Sequence, residues 1–533
     1  WSDGRAARSV PRPGTRVTFR MRDFSSAGRP MGTAAFAAFL LAWGAFSCVP
    51  AEPPPSTGGT GNSAGATGGR SGSGGSGAGG PGRSGGSGGG GGTGSGGTGG
   101  GGQPASGGGG ASTVGSGGDF TPSGGATATG GAPPSRGPTP AQAGTRFPFP
   151  QNRENSRCIY PHLYRNEDVR AAFEQWKTDT VTTEGAKMGA NQYRRVKRAA
   201  EPGLERDSTV SEGIAYGMLI AVYMADQALF DDLWKYEQSW LDKNGLMDWY
   251  INAAGTTRLD SGAATDADED MAFALLMADR QWGGMGSLAK TYLQHAKEQI
   301  TKIWNNEVFQ SKYLKPGDTW GDASTINVSY FAPYYYRLFA KVDTANTSNW
   351  NALLQTSYDT LARSLNTANG NQSNGLVPAW CDADGKPNGG AFLTGSPTNY
   401  QYDSCRTPFR FGMDWCLFGD TRAKDYVAKT TTFFSGIGAT SIVDGYDLNG
   451  TPRPEFQKDT LSRIQSAAFV GPAGVGAMGA VGMSGAPYQT FVDQSYSAIA
   501  TRQLVVGGLY YDSSWTVLSL LMMTANFLDY TAY

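Results

Sequence analysis

The chain is poor in histidine, in charge and in metal-binding cysteine patterns. Two His among 533 residues and the lack of any Cys-x-x-Cys pair argue against a zinc site. Lys+Arg 44 nearly balance Asp+Glu 45, and the formal net charge is -1. That balance gives no electrostatic reason to expect a nucleic-acid partner.

Glycine, in contrast, is abundant, with 78 residues, and it is concentrated in one segment. Residues 49–145 consist mainly of Gly, Ser, Thr and Pro, with almost nothing apolar to bury. Such a segment cannot offset its chain entropy, so we expect a disordered, flexible tether. A Gly-X-Y period is missing, which excludes collagen.

The residues before this tether predict export. Residues 1–20 have no starting Met, and we interpret them as an extension upstream of the true start, at Met21 or Met31. Residues 21–48 then combine basic residues, a short apolar run and small residues before Cys48, which is typical of a secretory signal. Lipidation of Cys48 and simple cleavage both stay open. We therefore expect a secreted or cell-surface protein, with an outer-membrane lipoprotein as one form.

Residues 146–533 predict one folded domain built from helices. Apolar spacing near 3.6 residues predicts about twelve helices, and several of them are apolar on nearly all sides. The helices that are apolar on nearly all sides suit an inner ring, and the amphipathic helices suit an outer, half-exposed ring. Another all-α array is an alternative. Only uncertain strand pieces are expected, near 440–446. The predicted helices are 166–180, 211–224, 227–243, 268–281, 287–305, 330–343, 348–367, 405–418, 420–437, 460–470, 489–505 and 511–530.

Four cysteines lie in this domain, and in an exported protein they could form up to two disulfides. The sequence leaves the pairing of these residues open: Cys158, Cys381, Cys405 and Cys416.

A first carboxylate stands out in "SEGIAYGM". Ser211 is suited to cap a helix, which would place Glu212 at the first helical position. Gly213 and Gly217 would leave room for a ligand to approach. Glu212 could instead simply complement the helix dipole. To act as a general acid, it would need burial and neighbouring carboxylates to raise its pKa against that dipole.

A second site is the acidic run "TDADED" at the start of an apolar helix. Any one of these acids could be an N-cap, and some are expected to be caps or solvated. Four exceed the need for capping, so repulsion should raise at least one pKa. An EF-hand is excluded because its spacing and glycine are missing. The acids are Asp266, Asp268, Glu269 and Asp270.

A third site is "YDSCRTPFR". Asp403 lies between Tyr402 and Arg406, and the arginine would keep the carboxylate ionised, as a base requires. A plain salt bridge anchoring a loop is the alternative. Aromatic residues elsewhere suit the flat faces of sugar rings. Together these features are the equipment for cleaving a glycosidic bond. The aromatic residues are Trp249, Trp320, Tyr330 and Trp380.

These motifs resemble glycoside hydrolase family 8, in its cellulase and xylanase branch. The matching segments are "SEGIAYGM", "GLMDW", "ATDADEDMAFALLMADRQWG", "SYFAPYYYRLF" and "YDSCRTPFR", which occur in the family's order over roughly 158–530. The resemblance implies an (α/α)6 barrel and inversion at the anomeric carbon, with no metal or organic cofactor.

The resemblance also implies a role for each matching residue. It implies that Glu212 is the general acid, Asp403 the general base, and Asp266 the carboxylate that holds and distorts the sugar. Tyr402 and Arg406 would position the water and the base. The implied sugar-contacting aromatic residues are Trp249, Trp320 and Tyr330.

The substrate is expected to be a β-linked polysaccharide, and we favour internal hydrolysis of β-1,4-glucan by a monomer. A β-1,4-xylanase or xylo-oligosaccharide hydrolase is the main alternative. A chitosanase is less favoured because Asp403 stands where the cellulase and xylanase branch has its base. Outside hydrolysis, a non-catalytic sugar-binding protein would not explain three carboxylates, and a lyase or epimerase would call for a Tyr or His base. The glycine-rich tether alone would support a structural surface protein.

Overall fold

The structure is a computed structural model that describes residues 144–198, 205–388, 398–453, 466–480, 488–501 and 510–533. The predicted upstream extension, the predicted signal over 21–48 and nearly all of the predicted tether over 49–145 lie outside the described residues. Within the described ranges, none of the helices has the length and apolar character required to cross a bilayer.

Helices dominate the described part of the chain, which contains twelve α-helices. They alternate between an inner and an outer ring along the sequence. The inner helices are α2 (Ser211–Tyr223), α4 (Thr265–Gln281), α6 (Pro333–Val342), α8 (Thr407–Leu417), α10 (Ala467–Ala477) and α12 (Tyr510–Met523). The outer helices are α1 (Asn166–Thr180), α3 (Gln227–Glu237), α5 (Tyr292–Glu307), α7 (Thr347–Ser364), α9 (Thr421–Ile437) and α11 (Tyr488–Thr501).

The inner helices close into a ring because each packs against the next. Helix α2 contacts α4, α6 contacts α8, α8 contacts α10, α10 contacts α12, and α12 returns to α2. Between α4 and α6, the rings of Phe273 and Tyr335 stack with centroids 4.0 Å apart. Every residue of α10 and of α12 is buried, whereas α1 and α9 bury one face. The predicted double ring of about twelve helices, an (α/α)6 barrel, is confirmed.

Helix boundaries differ from the predictions by up to seven residues, as in α12, which ends at Met523 rather than at 530. Helix α4 begins three residues before the predicted 268, at Thr265. Helix α5 begins at Tyr292 rather than 287, because Thr291 and Gln294 form a capping box there. Parts of the predicted helices 460–470 and 489–505 lie outside the described residues.

The strands are short. β5 (Thr209–Val210), β6 (Tyr250–Ile251) and β7 (Arg258–Asp260) form an antiparallel sheet in that order, beside the start of α2. The remaining strands form two-residue pairs. Around the predicted strand at 440–446, residues Ala439–Ser441 form a 3-10 turn and Tyr446 makes only isolated bridges. The paired strands are β1 (Val181–Thr182) with β4 (Arg195–Val196), β2 (Lys187–Met188) with β3 (Asn191–Gln192), and β8 (Val308–Phe309) with β9 (Tyr313–Leu314).

Two of the four cysteines of the domain form a disulfide, and the other two are free. Cys158 is bonded to Cys416 in α8, across 258 residues of sequence. Cys381 and Cys405 are buried free thiols. The bond therefore connects the segment before α1 to helix α8 of the inner ring.

Candidate active site

Residues at the N-terminal ends of α2, α4, α8 and α12 line an open cavity, whose empty space including its mouth to solvent is ≈ 540 Å³. Three of the carboxylates singled out in the sequence, Glu212, Asp266 and Asp403, line it together. Two buried arginines, Arg198 and Arg406, line it too. Aromatic side chains form much of the remaining wall: Trp249, Tyr330, Tyr402, Tyr510 and Tyr511.

Glu212 lies in the first turn of α2, one residue further in than expected. Val210 is the N-cap, in the extended conformation that ends β5, and Ser211 is the first helical residue. The prediction that Ser211 caps the helix is therefore wrong. The strand pairing decides this, because Val210 pairs with Tyr250 and the Ser211 amide donates to the Trp249 carbonyl at 2.9 Å.

The glycines of α2 serve helix packing rather than the approach of a ligand. A Cβ at Gly217 would lie 2.8 Å from Leu233 and 3.1 Å from Val196. A Cβ at Gly213 would lie 3.3 Å from both Val196 and the ring of Tyr510. The expectation that these glycines open the surface to a ligand is wrong, because protein side chains fill both spaces.

Arg406 connects the three carboxylates. Its Nη1 donates to Asp266 Oδ2 at 2.5 Å and to Glu212 Oε2 at 2.7 Å. Its Nη2 lies 3.8 Å from Asp403 Oδ1. The guanidinium is held by a hydrogen bond to Ser329 Oγ at 3.2 Å and lies over the ring of Tyr330, 5.0 Å from the centroid. One fixed cation thus sets the relative positions of all three acids.

Glu212 has a pKa suited to keeping its proton near neutral pH. Burial is the main cause, and with the nearby Asp266 carboxylate it raises the pKa to about 8, against the lowering effects of Arg406 and of a hydrogen bond from Tyr510. The Tyr510 hydroxyl donates to Glu212 Oε1 at 2.7 Å. The pKa of Glu212 is raised, as expected if burial and a neighbouring carboxylate outweigh the helix dipole.

Asp403 is also shifted upward, but less. Burial raises its pKa to about 6, while Arg406 and hydrogen bonds from Trp380 and Gln401 oppose the rise. Trp380 Nε1 lies 3.3 Å and Gln401 Nε2 lies 3.1 Å from Asp403 Oδ2. Arg406 lowers the pKa of Asp403 as expected, but the rise caused by burial is larger. Asp403 is still largely ionised at pH 7, one unit above that pKa.

The acidic run of α4 is entirely buried, so the expectation that some of its acids are caps or solvated is wrong. The N-cap is Ala264, which makes no side-chain cap. Asp270 instead forms a bidentate pair with Arg410, at 2.5 and 2.8 Å. Burial raises the pKa of Asp268 and of Glu269 well above the usual range, and for Asp268 nearby carboxylates add to the rise. Only Asp266 lines the cavity.

The predicted aromatic residues divide into two groups. Trp249, Tyr330 and Tyr402 line the cavity, and the Tyr402 hydroxyl donates to Asp444 Oδ2 at 2.7 Å. Trp320 is not among the lining residues. It packs against Trp380, with ring centroids 5.8 Å apart.

Sequence reasoning missed the tyrosines at the start of α12 and the position of Arg198 on the cavity wall. Tyr510 reaches Glu212 across 298 residues of sequence, and the Tyr511 hydroxyl donates to the Tyr402 carbonyl at 2.9 Å. The signal was available in "GLYYDSSW", where two aromatic residues open a nearly all-apolar helix. Hydroxyl groups in the first turn of an otherwise buried inner helix predict that these side chains face the cavity.

The geometry places two carboxylates of different pKa within reach of one sugar. Nη1 and Nη2 of a guanidinium are about 2.3 Å apart, so the contacts of 2.7 and 3.8 Å keep Glu212 Oε2 and Asp403 Oδ1 within about 9 Å of each other. An inverting pair needs about 6.5–9.5 Å to admit a water molecule. The upper limit that Arg406 sets on the separation of Glu212 and Asp403 is compatible with such a pair.

Comparison with known families gives a match over most of the domain. Residues 147–524 match the model of glycosyl hydrolases family 8. Endoglucanase A of Acetivibrio thermocellus is 38% identical over 364 residues, which cover 67% of this chain and 69% of that protein. Endoglucanase 2 of Ruminiclostridium josui is 34% identical over 401 residues, or 74% of this chain and 80% of that protein.

Solved structures of glycoside-cleaving enzymes also match the described fold. A β-1,3-1,4-glucanase from Paenibacillus sp. X4 matches with a TM-score of 0.61 and 29% identity, covering 71% of this chain and 98% of that one. Rex8A from Paenibacillus barcinonensis, complexed with xylose, matches with a TM-score of 0.55 at 22% identity, covering 70% of this chain and 97% of that one. At that identity, the second likeness shows the fold alone.

Proposed function

The chain belongs to glycosyl hydrolases family 8, and we propose that it cleaves internal bonds of β-1,4-linked glucan by a single inverting displacement. It is a glycoside hydrolase of the cellulase class, since its relatives at 33–38% identity over most of the domain are endoglucanases. The names of these relatives support glucan as the substrate. The geometry of the cavity supports the proposed roles of its residues.

Glu212 is the general acid in this proposal. Up to about pH 7 it largely holds its proton, because its pKa is raised to about 8. As the bond from the anomeric carbon to the leaving oxygen breaks, that proton passes to the leaving oxygen. The Glu212 carboxylate that remains is stabilised by Arg406 at Oε2.

Asp403 is the general base. It takes a proton from a water molecule whose oxygen forms the new bond to the anomeric carbon, on the face opposite the leaving group. Its hydrogen bonds from Trp380 and Gln401 both fall on Oδ2. Oδ1 has Asn327 Nδ2 at 3.4 Å and Arg406 at 3.8 Å, which are long contacts. Oδ1 is therefore the oxygen better placed to accept from water.

Asp266 holds the sugar at the point of cleavage in the same proposal. Its Oδ2 is committed to Arg406, while its buried Oδ1 has no hydrogen-bond partner among the described residues. A buried carboxylate oxygen without a partner is costly, and a sugar hydroxyl can supply the missing donor. Trp249 and Tyr330, with apolar faces on the same cavity, suit the faces of pyranose rings.

The observation that carries the proposal is the pairing of Glu212 and Asp403 at one cavity through Arg406, with pKa values of about 8 and about 6. Its test is hydrolysis of carboxymethylcellulose, barley β-glucan, xylan and chitosan by the full chain, followed as new reducing ends. We expect release from the two glucans, with a rapid fall in viscosity because cleavage is internal. Release from chitosan alone, or from xylan alone, contradicts the assigned substrate.

The Glu212→Gln variant tests the assigned acid. We expect it to bind glucan and to lose hydrolysis, since glutamine has no acidic proton to donate. Glu237→Gln is the matched control, because Glu237 is another buried glutamate whose pKa burial raises to about 8, on the outer helix α3. Equal activity of the two variants would remove Glu212 from its role.

We also propose that the protein works outside the cytoplasm. The signal pattern over 21–48 and the Cys158–Cys416 disulfide support export, because such bonds persist in oxidising compartments. Cell fractionation of the full chain tests this proposal. Labelling with radioactive palmitate, compared with Cys48→Ser, distinguishes a lipid anchor from release.

A further inference from the structure

The two oxygens of Glu212 have different partners. Oε2 accepts from Arg406 Nη1 at 2.7 Å, and Oε1 accepts from the Tyr510 hydroxyl at 2.7 Å. Tyr510 is buried and opens α12, and its ring is packed against Gly213, the residue that follows Glu212. The hydroxyl is therefore held in place by the contact between two inner helices.

This asymmetry decides which oxygen carries the proton. An arginine can only donate hydrogen bonds and keeps its charge, so it disfavours a proton on Oε2. A tyrosine hydroxyl can donate to a carboxylate and can also accept from a carboxylic acid. Arg406 and Tyr510 therefore favour a proton on Oε1 over one on Oε2, and a side-chain hydrogen bond with Asp266 also favours the protonated form of Glu212. Tyr510 can pair with Oε1 both before and after the proton leaves.

We propose that Tyr510 is a positioning residue for the general acid, keeping the transferable proton on Glu212 Oε1 and stabilising the carboxylate that remains. The inference rests on the proposed role of Glu212. When the leaving oxygen takes the proton, the electron pair of the broken O–H bond stays on Oε1. The Tyr510 O–H then donates to that oxygen.

Other groups also act on Glu212, and they set the background for a pH test. The charged groups of the cavity are Asp266 from α4, Asp403 and Arg406 before α8, and Arg198 after β4. The nearby phenols besides Tyr510 are Tyr216, Tyr330 and Tyr511. Burial and Asp266 raise the pKa of Glu212, whereas the bond from Tyr510 lowers it. Removing that one bond should therefore make Glu212 a weaker acid.

Tyr510→Phe removes the hydroxyl and keeps the ring. We expect the alkaline limb of the kcat/KM profile to move upward by about one pH unit, the size of a hydrogen bond to a charged group. We also expect kcat to fall more than KM changes. The loss should be larger on cello-oligosaccharides than on an aryl cellobioside with a nitrophenolate leaving group, which needs little protonation. Neither the limb position nor the ratio of the two rates depends on the folded fraction.

Tyr511→Phe is the matched control, since its hydroxyl donates to the Tyr402 carbonyl rather than to Glu212. Its activity can fall, but its alkaline limb should stay with that of the unaltered protein. An unmoved limb in Tyr510→Phe, together with equal losses on both substrates, overturns the role of Tyr510. If Glu212→Gln is inactive in the same series, the proposed function survives that result. An active Glu212→Gln removes the basis of both.

Discussion

Activity is predicted to follow a bell-shaped pH profile with its maximum near pH 7. The productive form needs a protonated Glu212 and an ionised Asp403, with pKa values of about 8 and about 6. Asp403 is buried and the Glu212 side chain is only 17% exposed, so loss of contact with solvent raises both values. Asp266 raises both pKa values, whereas the hydrogen bonds from Trp380 and Gln401 lower the pKa of Asp403 alone, which helps to separate the two.

The size of the effect follows from these two values. About four fifths of the enzyme is in the productive form at pH 7, and about a tenth is at pH 5 or at pH 9. We therefore expect kcat/KM on a soluble cello-oligosaccharide to be about tenfold lower at either extreme than at pH 7. Initial rates should be measured at constant ionic strength, and samples returned to pH 7 should recover full activity, which excludes irreversible unfolding as the cause.

Substitution at Gln401 assigns the acidic limb. Gln401→Met removes the hydrogen bond to Asp403 Oδ2, which lies at 3.1 Å and lowers the pKa of Asp403. The acidic limb should move upward while the alkaline limb stays in place. A profile that is flat from pH 5 to 7, or a movement of the alkaline limb instead, would refute the assignment of Asp403.

Two further predictions concern stability. Glu237 is fully buried, and its folded-state pKa of about 8 lies above the unfolded value, so its contribution to stability is complete below about pH 4.5 and is lost as the pH rises towards 8. Glu237→Gln should remove that loss. Its free energy of unfolding, measured by urea denaturation, should gain up to about 3 kcal/mol more at pH 8 than at pH 5. Equal effects of the substitution at both pH values would contradict the burial argument. Cys158→Ala should lower the free energy of unfolding by about 2–5 kcal/mol through loss of the bond to Cys416, and reductant should then have no further effect on the variant.

The barrel could be predicted from the sequence because its signal is local. Helices such as α2 and α12 are apolar on nearly all sides, and such helices must be covered on all sides. Outer helices such as α9 show one apolar face. Alternation of the two kinds along the chain therefore predicts two rings without knowledge of any contact.

The site was accessible only in part. The three carboxylates stand in short motifs, but the reach of Arg406 to Glu212 spans 194 residues and that of Tyr510 spans 298. Such contacts exist only once the ring has closed. The burial of Asp268 and Glu269 was missed for a related reason, since charged residues at a helix start normally act as caps or face water.

One turn recurs in three loops of the described residues. "DKNG", "DADG" and "DLNG" each begin with an aspartate whose amide donates to a carbonyl four residues later, and each ends on a glycine with positive φ. The φ values of Gly245, Gly385 and Gly450 are 79, 74 and 93°. The first of these turns leads into Trp249 on the cavity wall. The repeat is only four residues long, far below the roughly 20–50 residues of a repeated structural unit.

The configuration of the first product tests the central claim most directly. Proton NMR of cellopentaose hydrolysis, recorded before mutarotation, reports which anomer is released. If water attacks opposite the leaving group, with Asp403 as base and Glu212 as acid, the α-anomer appears first and the β-anomer grows only as the sugar equilibrates. Initial release of the β-anomer would contradict the single displacement and the roles assigned to both carboxylates.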